Sequence, residues 1–86
     1  MMNPQQKEEL RRLVLRYLAE RAALSYNSAS VQRGVSREMA HTIPEAAEAL
    51  ELLLDLGFLK LVPNELGASR YYRISAAGTL AYERGE

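Results

Sequence analysis

Apolar residues recur every three or four positions near the start of the chain, which predicts a first amphipathic helix. Its apolar stripe comprises Leu10, Leu13, Val14, Tyr17 and Leu18. Asn3 can accept a hydrogen bond from the first turn, Pro4 suits the first helical position, and Gln6 stands where a capping-box partner belongs. We therefore expect helix 1 to begin directly after Asn3 and to bury one face.

A second helix is predicted by an apolar residue at every fourth position, namely Val31, Val35 and Met39. Residues 25–30, which are rich in turn and cap formers, precede it. We expect this helix to begin at Asn27 or Ser28 and to end near His41.

A third helix is predicted by a capping box, because Thr42 can accept from the third helical amide while Glu45 reaches back to the cap. Its expected core stripe comprises Ile43, Ala46, Ala47, Leu50, Leu53 and Leu54. Gly57 stands where a left-handed residue would end the helix. Leu52 and Leu56, with Ala49, lie beside the stripe, so they belong either to a wide buried face or to an exposed apolar strip.

Two short runs rich in aromatic, β-branched and leucine residues, 58–62 and 70–74, predict a β-hairpin. The turn-forming residues 63–69 would be its tip, and Ser75 can cap a short last helix. The predicted fold class is therefore α+β and mainly α. A chain of this length builds one modest core, so we expect a single domain over residues 1–86.

Three helices, a hairpin and a terminal helix follow one another in the order of a winged helix-turn-helix domain. The leucines and the Gly57-Phe58-Leu59 step within residues 49–59 resemble the end of the third helix and the start of the wing in the MarR-like and PadR-like regulator families. Residues 72–78, YRISAAG, are similar to the Y-x-L-T-x-x-G segment that leaves their wing. The resemblance implies a DNA-binding transcriptional regulator whose third helix enters the major groove while the wing touches the backbone.

The charge on helix 3 argues against that mode of binding. Eleven basic residues balance eleven acidic ones, so no net field draws the chain onto a polyanion. Four carboxylates, Glu45, Glu48, Glu51 and Asp55, fall within a sector of about 120° around helix 3, opposite its core stripe. Like charges repel when they approach phosphates, so this sector disfavours deep insertion into a groove.

Basic residues gather elsewhere, and two hypotheses follow. The candidates for contact with DNA lie on helix 2 and on the wing: Arg33, Arg37, Lys60, Arg70 and Arg73. A further basic group on helix 1 comprises Arg11, Arg12 and Arg16. In the first hypothesis the protein is a homodimeric regulator that holds double-stranded DNA mainly by its phosphates. For each group the alternative is a solvated face with acidic neighbours.

The second hypothesis is a protein-interaction module that docks on a partner through helix 3. Its candidate residues combine carboxylates with an apolar side chain: Glu48, Glu51, Leu52 and Asp55. An apolar strip rimmed by carboxylates suits a protein partner better than a duplex.

Composition and motifs bear on the remaining classes of function. The chain has no cysteine and one histidine, and it contains no nucleophile elbow, no phosphate-cradling glycine loop and no His-Glu-x-x-His. We therefore expect no enzymatic activity, no metal site and no cofactor. The first ten residues lack a signal-peptide pattern, and no apolar run approaches about 20 residues. These features predict a cytoplasmic protein with no membrane partner.

Overall fold

The computed structural model describes residues 2–63 and 70–85, and these ranges form four helices and one two-stranded sheet. The helices are α1 (Pro4–Ala19), α2 (Ser28–Val35), α3 (Ile43–Asp55) and α4 (Ala76–Glu83). The strands are β1 (Leu59–Val62) and β2 (Tyr71–Ile74), which precede α4. This element order is the predicted one of a winged helix-turn-helix. None of the helices within these ranges has the length and apolar character needed to cross a membrane.

Both predicted capping boxes are present at the starts of α1 and α3. The Gln6 amide donates to Asn3 Oδ1 at 2.8 Å, and the Asn3 amide donates to Gln6 Oε1 at 3.0 Å. The Thr42 amide donates to Glu45 Oε1 at 2.9 Å, and the Glu45 amide donates to Thr42 Oγ1 at 3.3 Å. These short-range contacts satisfy amides that have no partner inside the helix, so the two helices begin where the sequence predicts.

Helix α2 is shorter than predicted, because it ends at Val35 and does not continue toward His41. The Ser36 hydroxyl donates to the Arg33 carbonyl at 2.9 Å and so takes up one of the free acceptors at the helix end. The Met39 amide still donates to the Val35 carbonyl at 3.2 Å, which keeps Met39 half-buried against the core. The prediction of an apolar stripe was right, but the helical extent was wrong.

The core lies between the inner faces of α1, α2 and α3 and the inner side of the hairpin. Its largest fully buried side chains are Leu10, Val14, Leu18, Val31, Val35 and Leu50. On α3 the predicted Ala46, Leu50 and Leu53 are buried. Ile43, also predicted for the core, is the first residue of α3 and is 45% exposed. Ala49, which was not predicted for the core stripe, is buried.

The hairpin of β1 and β2, called the wing below, is antiparallel and begins with Leu59 paired to Ile74. Tyr26, in the connection between α1 and α2, adds an unpredicted bridge to the edge of β2, since its amide and carbonyl each bond to those of Tyr72 at 2.9 Å. The bridge ties the α1–α2 connection to the wing. The predicted tip of the hairpin falls largely on residues 64–69, outside the described ranges.

Two glycines shape the junction between α3, the wing and α4. Gly57 has φ +84°, as predicted for a left-handed residue that ends α3. A β-carbon on Gly78 would overlap the Phe58 carbonyl oxygen and lie 2.8 Å from Ile74 Cγ1. The Ser75 hydroxyl accepts from the Gly78 amide at 3.0 Å and donates to the Gly57 carbonyl at 2.6 Å. Residues 75–78 therefore pack closely against the end of α3 and the wing, and these contacts hold α4 against the wing.

Candidate nucleic-acid interface

The outward side of α3 that carries Glu45, Glu48, Glu51 and Asp55 is called the acidic face below. Most of its carboxylates already have partners within the protein. Glu45 closes the cap of α3, and its bond from the Thr42 amide lowers the pKa of the Glu45 carboxyl. Glu48 lies 3.5 Å from the Lys7 ammonium. The acidic face is thus less available to an outside partner than its four charges suggest.

Glu51 is the most heavily engaged of these carboxylates. It accepts a hydrogen bond from Arg70 Nη1 at 2.9 Å and another from the Tyr72 hydroxyl. Burial of the Tyr72 ring, together with the bond to Glu51, raises the pKa of the Tyr72 phenol to about 12. One predicted DNA contact, Arg70, is therefore bound to one predicted protein contact, Glu51, and the two do not form separate sites.

A second surface lies on the other side of α2 and is called the arginine groove below. It is an open groove of about 400 Å³ between the end of α1, the Tyr26 bridge and α2. Its lining residues are Tyr17, Arg21, Tyr26, Ser30, Arg33, Gly34 and Arg37. Three of these seven are arginines and none is acidic, so the groove concentrates positive charge on a chain with no net charge.

Packing around Tyr17 builds the wall of the arginine groove. The Tyr26 ring meets the Tyr17 ring edge-on, with centroids 5.3 Å apart and an interplanar angle of 66°. Gly34 leaves room for the ring, because a β-carbon there would overlap it. The Arg21 guanidinium carbon lies 3.9 Å from the Tyr17 ring centroid, within the range of a cation–π contact. The glycine that weakens α2 as a helix former thus makes space for this packing.

The wing presents its own cations beside the same connection. Lys60 and Arg73 are paired across the two strands, and both are exposed. The Arg73 Nε donates to the Ala22 carbonyl at 3.0 Å, one residue from Arg21. The α1–α2 connection therefore lies between the arginine groove on one side and Arg73 of the wing on the other.

Ion pairing separates the basic residues that the sequence singled out. Within residues 2–63 and 70–85, no carboxylate lies within 4.0 Å of four of the five predicted DNA contacts: Arg33, Arg37, Lys60 and Arg73. Arg70 is the exception, since it pairs with Glu51. In the helix 1 group, Arg12 pairs with Glu8 and Glu9, and Arg16 pairs with Glu38. For those two arginines the solvated face with acidic neighbours is the arrangement observed.

Arg21 was missed as a candidate. It lies beyond the end of α1 and belongs to no basic run, so its charge alone gave no reason to select it. Its spacing of four residues from Tyr17 was the available signal, since such spacing places two side chains together at a helix end. The contact also requires the Tyr17 ring to pack closely against Gly34 of α2, and this packing depends on the tertiary fold.

The acidic face borders a more apolar groove of about 370 Å³ between α1 and α3. Met2, Leu10, Ala49 and Leu52 contribute its apolar lining. Leu52 is 39% exposed and Leu56 is 55% exposed, so of the two alternatives for these leucines the exposed strip is observed. In the part of the chain that the structure describes, no three His, Cys, Asp or Glu residues come together as a metal site.

Comparison with known proteins bears on the fold. The chain is similar to a solved structure of HOP2, from work on its DNA recognition and protein interaction domains and on homologous DNA pairing. The TM-score is 0.66 at 23% identity, and the match covers 77% of this chain and 98% of that chain. No family model matches the chain, and no curated protein matches it. At this identity the likeness supports the fold alone, and with the element order it confirms a winged helix; the resemblance to MarR-like and PadR-like regulators stays a prediction.

Proposed function

We propose that the protein is a small non-enzymatic DNA-binding protein that holds the phosphates of a duplex through α2 and the wing. The observation that carries this proposal is the arginine groove, in which Arg33 and Arg37 lie with no acidic residue among the lining. Guanidinium groups bind phosphate oxygens well because they offer several donors in a fixed plane. The winged-helix likeness to HOP2, a protein described by its DNA recognition, supports the same class of function.

Binding of this kind does not need α3 to read bases. Phosphate contacts set orientation and give salt-dependent affinity, while they carry no sequence information directly. The partners of Glu48 and Glu51, Lys7 and Arg70, reduce the repulsion that the acidic face would exert on a nearby backbone. The proposal therefore places the arginine groove and the exposed Lys60 against the duplex, with the acidic face directed away from it.

The proposal extends to a transcriptional regulator that acts as a homodimer in the cytoplasm. The resemblance to MarR-like and PadR-like regulators supports the regulatory part. Exposed apolar side chains support the dimer, because Leu56 and Leu80 are 55% and 48% exposed and a second copy would cover such surface. Sedimentation velocity of the purified chain tests this part directly, with a dimer expected and a monomer at all concentrations contradicting it.

Fluorescence anisotropy with a random-sequence labelled duplex at two salt concentrations tests DNA binding. We expect affinity to fall steeply with salt, and we expect Arg33→Gln with Arg37→Gln to weaken binding and to flatten the salt dependence. The control pair, Arg12→Gln with Arg84→Gln, removes the same charge from other places. Equal losses in both pairs, or binding that ignores salt, would reject the proposal.

A protein-interaction module is the second candidate, and the exposure of Leu52 and Leu56 beside Asp55 favours it. HOP2 is described by protein interaction as well as by DNA recognition. Leu52→Asp should abolish a complex through α3 while the monomer stays folded, because this side chain is 39% exposed. Sedimentation velocity combined with thermal unfolding checks both halves of that expectation. A variant that unfolds would show that Leu52 belongs to the core and would remove the basis for this candidate.

A further inference from the structure

We propose that Arg21 binds a backbone phosphate of the DNA, and that Tyr17 is the positioning residue that holds its guanidinium at the rim of the arginine groove. This inference rests on the proposed DNA-binding function and deepens it by adding a residue outside α2 and the wing. With Arg21, the groove offers three guanidinium groups from two separate segments: Arg21 follows the end of α1, Arg33 lies on α2, and Arg37 lies in the turn just after α2. A groove with three guanidinium groups suits several phosphates of a DNA backbone better than one isolated anion.

The guanidinium of Arg21 is held by the protein on one side and remains available on the other. Its Nη1 donates to the Tyr17 carbonyl at 3.1 Å, and its planar group lies over the Tyr17 ring at 3.9 Å from the centroid. The nearest carboxylate, Glu20, lies 3.7 Å away, and both side chains of that pair are partly exposed. An exposed pair beyond hydrogen-bond distance is weak, so a phosphate can displace it. The stacked side chain loses less freedom on binding than a free one would.

Three contacts fix the Tyr17 ring, so it can serve as a rigid platform, meaning a surface on which the Arg21 guanidinium stacks. Tyr26 packs on its edge, Gly34 packs against the ring, and Arg21 covers a face. The bridge between Tyr26 and Tyr72 anchors this arrangement to the wing. The platform thus links the position of Arg21 to the position of the wing, so both are set before DNA binds.

The opposite arrangement at Arg70 supports this assignment. Arg70 also lies near a tyrosine, with its guanidinium carbon 6.0 Å from the Tyr72 ring centroid, but there Glu51 accepts its hydrogen bond. At Arg21 the one carboxylate within 4.0 Å among the described residues, that of Glu20, lies 3.7 Å away, beyond hydrogen-bond distance. Arg21 is therefore positioned and only loosely paired, so an outside anion can reach it, whereas Arg70 is hydrogen-bonded to its carboxylate.

The experiment measures the affinity of the full chain for a random-sequence duplex against salt concentration for four variants: Arg21→Gln, Tyr17→Phe, Tyr17→Leu and the double variant Arg21→Gln with Tyr17→Leu. Arg84→Gln is the control for loss of one positive charge. Each phosphate contact contributes a slope of about −0.9 in the logarithmic salt dependence, so its loss weakens binding about eightfold at 0.1 M salt. We expect that loss and a slope shallower by about 0.9 for Arg21→Gln.

Tyr17→Phe keeps the ring and should bind as the unchanged protein does. Tyr17→Leu removes the platform and should weaken binding, while the double variant should lose little more than Arg21→Gln alone, because both substitutions act on one contact. Thermal unfolding of each variant separates loss of binding from loss of fold. If Tyr17→Leu does not fold, the comparison of Arg21→Gln with Arg84→Gln still decides whether Arg21 contacts a phosphate.

Three results overturn the inference in different ways. If Arg21→Gln binds like Arg84→Gln while the pair at Arg33 and Arg37 still lowers affinity, Arg21 makes no phosphate contact and the proposed function stands. If losses from Arg21→Gln and Tyr17→Leu add in full, Tyr17 does not position Arg21. If the unchanged chain does not bind duplex at any salt concentration, the proposed function fails first and this inference fails with it.

Discussion

The acidic face of α3 and the arginine groove beside α2 are built on neighbouring helices, yet they differ in how their charges are used. On the acidic face Glu48 and Glu51 already contact Lys7 and Arg70. In the groove Arg33 and Arg37 have no carboxylate within 4.0 Å among the described residues. The number of charges on a helix therefore says less about a binding surface than whether the fold has already paired them.

The same difference in charge pairing is found between two arginine–tyrosine pairs. Arg70 lies near Tyr72 and bonds to Glu51, while Arg21 lies over Tyr17 and faces a groove without acids. The hydrogen bond to Glu51 makes the Arg70–Tyr72 pair an internal contact of the fold. The looser contact of Arg21 with Glu20, at 3.7 Å, leaves the other pair as a candidate contact with DNA.

The largest effect should come from the two sides of α3 itself. Leu50→Ala should lower the free energy of unfolding by about 2–5 kcal/mol, because Leu50 is fully buried in the core. Leu52→Ala, two residues away on the exposed side, should cost less than about 1 kcal/mol. Urea unfolding followed by circular dichroism measures both. Similar losses for the two leucines would mean that the outward side of α3 is packed against something else.

Reversal of the groove charges should have the next largest effect. Arg33→Glu with Arg37→Glu removes two phosphate contacts and adds repulsion, so we expect duplex affinity to fall by more than about 100-fold at 0.1 M salt. Adding Glu48→Lys and Asp55→Lys restores the net charge but places the cations on the acidic face. Anisotropy titrations should find that this rearranged variant still binds poorly. Full recovery would mean that net charge, and not the groove, controls binding.

Burial of the Tyr72 phenol, together with its bond to Glu51, should make the protein less stable at alkaline pH. Because the folded-state pKa of Tyr72 is raised from 10.0 to about 12, its contribution to stability is fully present below about pH 10 and is lost as pH rises through 12. The size is on the order of 2–3 kcal/mol, since one pKa unit corresponds to about 1.4 kcal/mol and the pKa is raised by about two units. Urea unfolding at several pH values should find a flatter profile for Tyr72→Phe. Tyr71→Phe is the matched control, and an equal change there would argue against a special role for Tyr72.

Glu51→Gln should have the smallest effect. It removes the charge that neutralises Arg70 but keeps a side chain that accepts from Tyr72, so Arg70 becomes available to a phosphate. We expect duplex affinity to rise at most about eightfold at 0.1 M salt, the value of one added contact. Asp55→Asn makes the same charge change elsewhere on the acidic face. If both variants raise affinity equally, the gain comes from general charge and Arg70 stays out of contact with DNA.

Local signals predicted most of the fold. The caps at Asn3 and Thr42, the left-handed Gly57 and the cap at Ser75 each depend on residues close together in the sequence, and all four are present. The extent of α2 was wrong because the chain beyond Val35 continues in turns, with the Glu38 and Met39 amides both bonded to the Val35 carbonyl, and periodicity does not separate such turns from a helix.

The candidate surfaces were harder to predict because they depend on contacts between distant residues. The bond from Arg70 to Glu51 joins positions 19 residues apart, and the bond from Arg73 to the Ala22 carbonyl joins positions 51 apart. The single bridge at Tyr26 has no strand run to reveal it. Sequence therefore identified basic and acidic residues, while the fold decided which of them remain available.

Amide chemical shifts of the ¹⁵N-labelled chain, followed during titration with a duplex, test the central claim most directly. If the arginine groove holds the DNA, the largest shifts should fall on Arg21, Ser30, Arg33 and Arg37, and the amides of Glu48, Leu52 and Asp55 should change little. Large shifts along the outward side of α3, with the groove unchanged, would contradict the account.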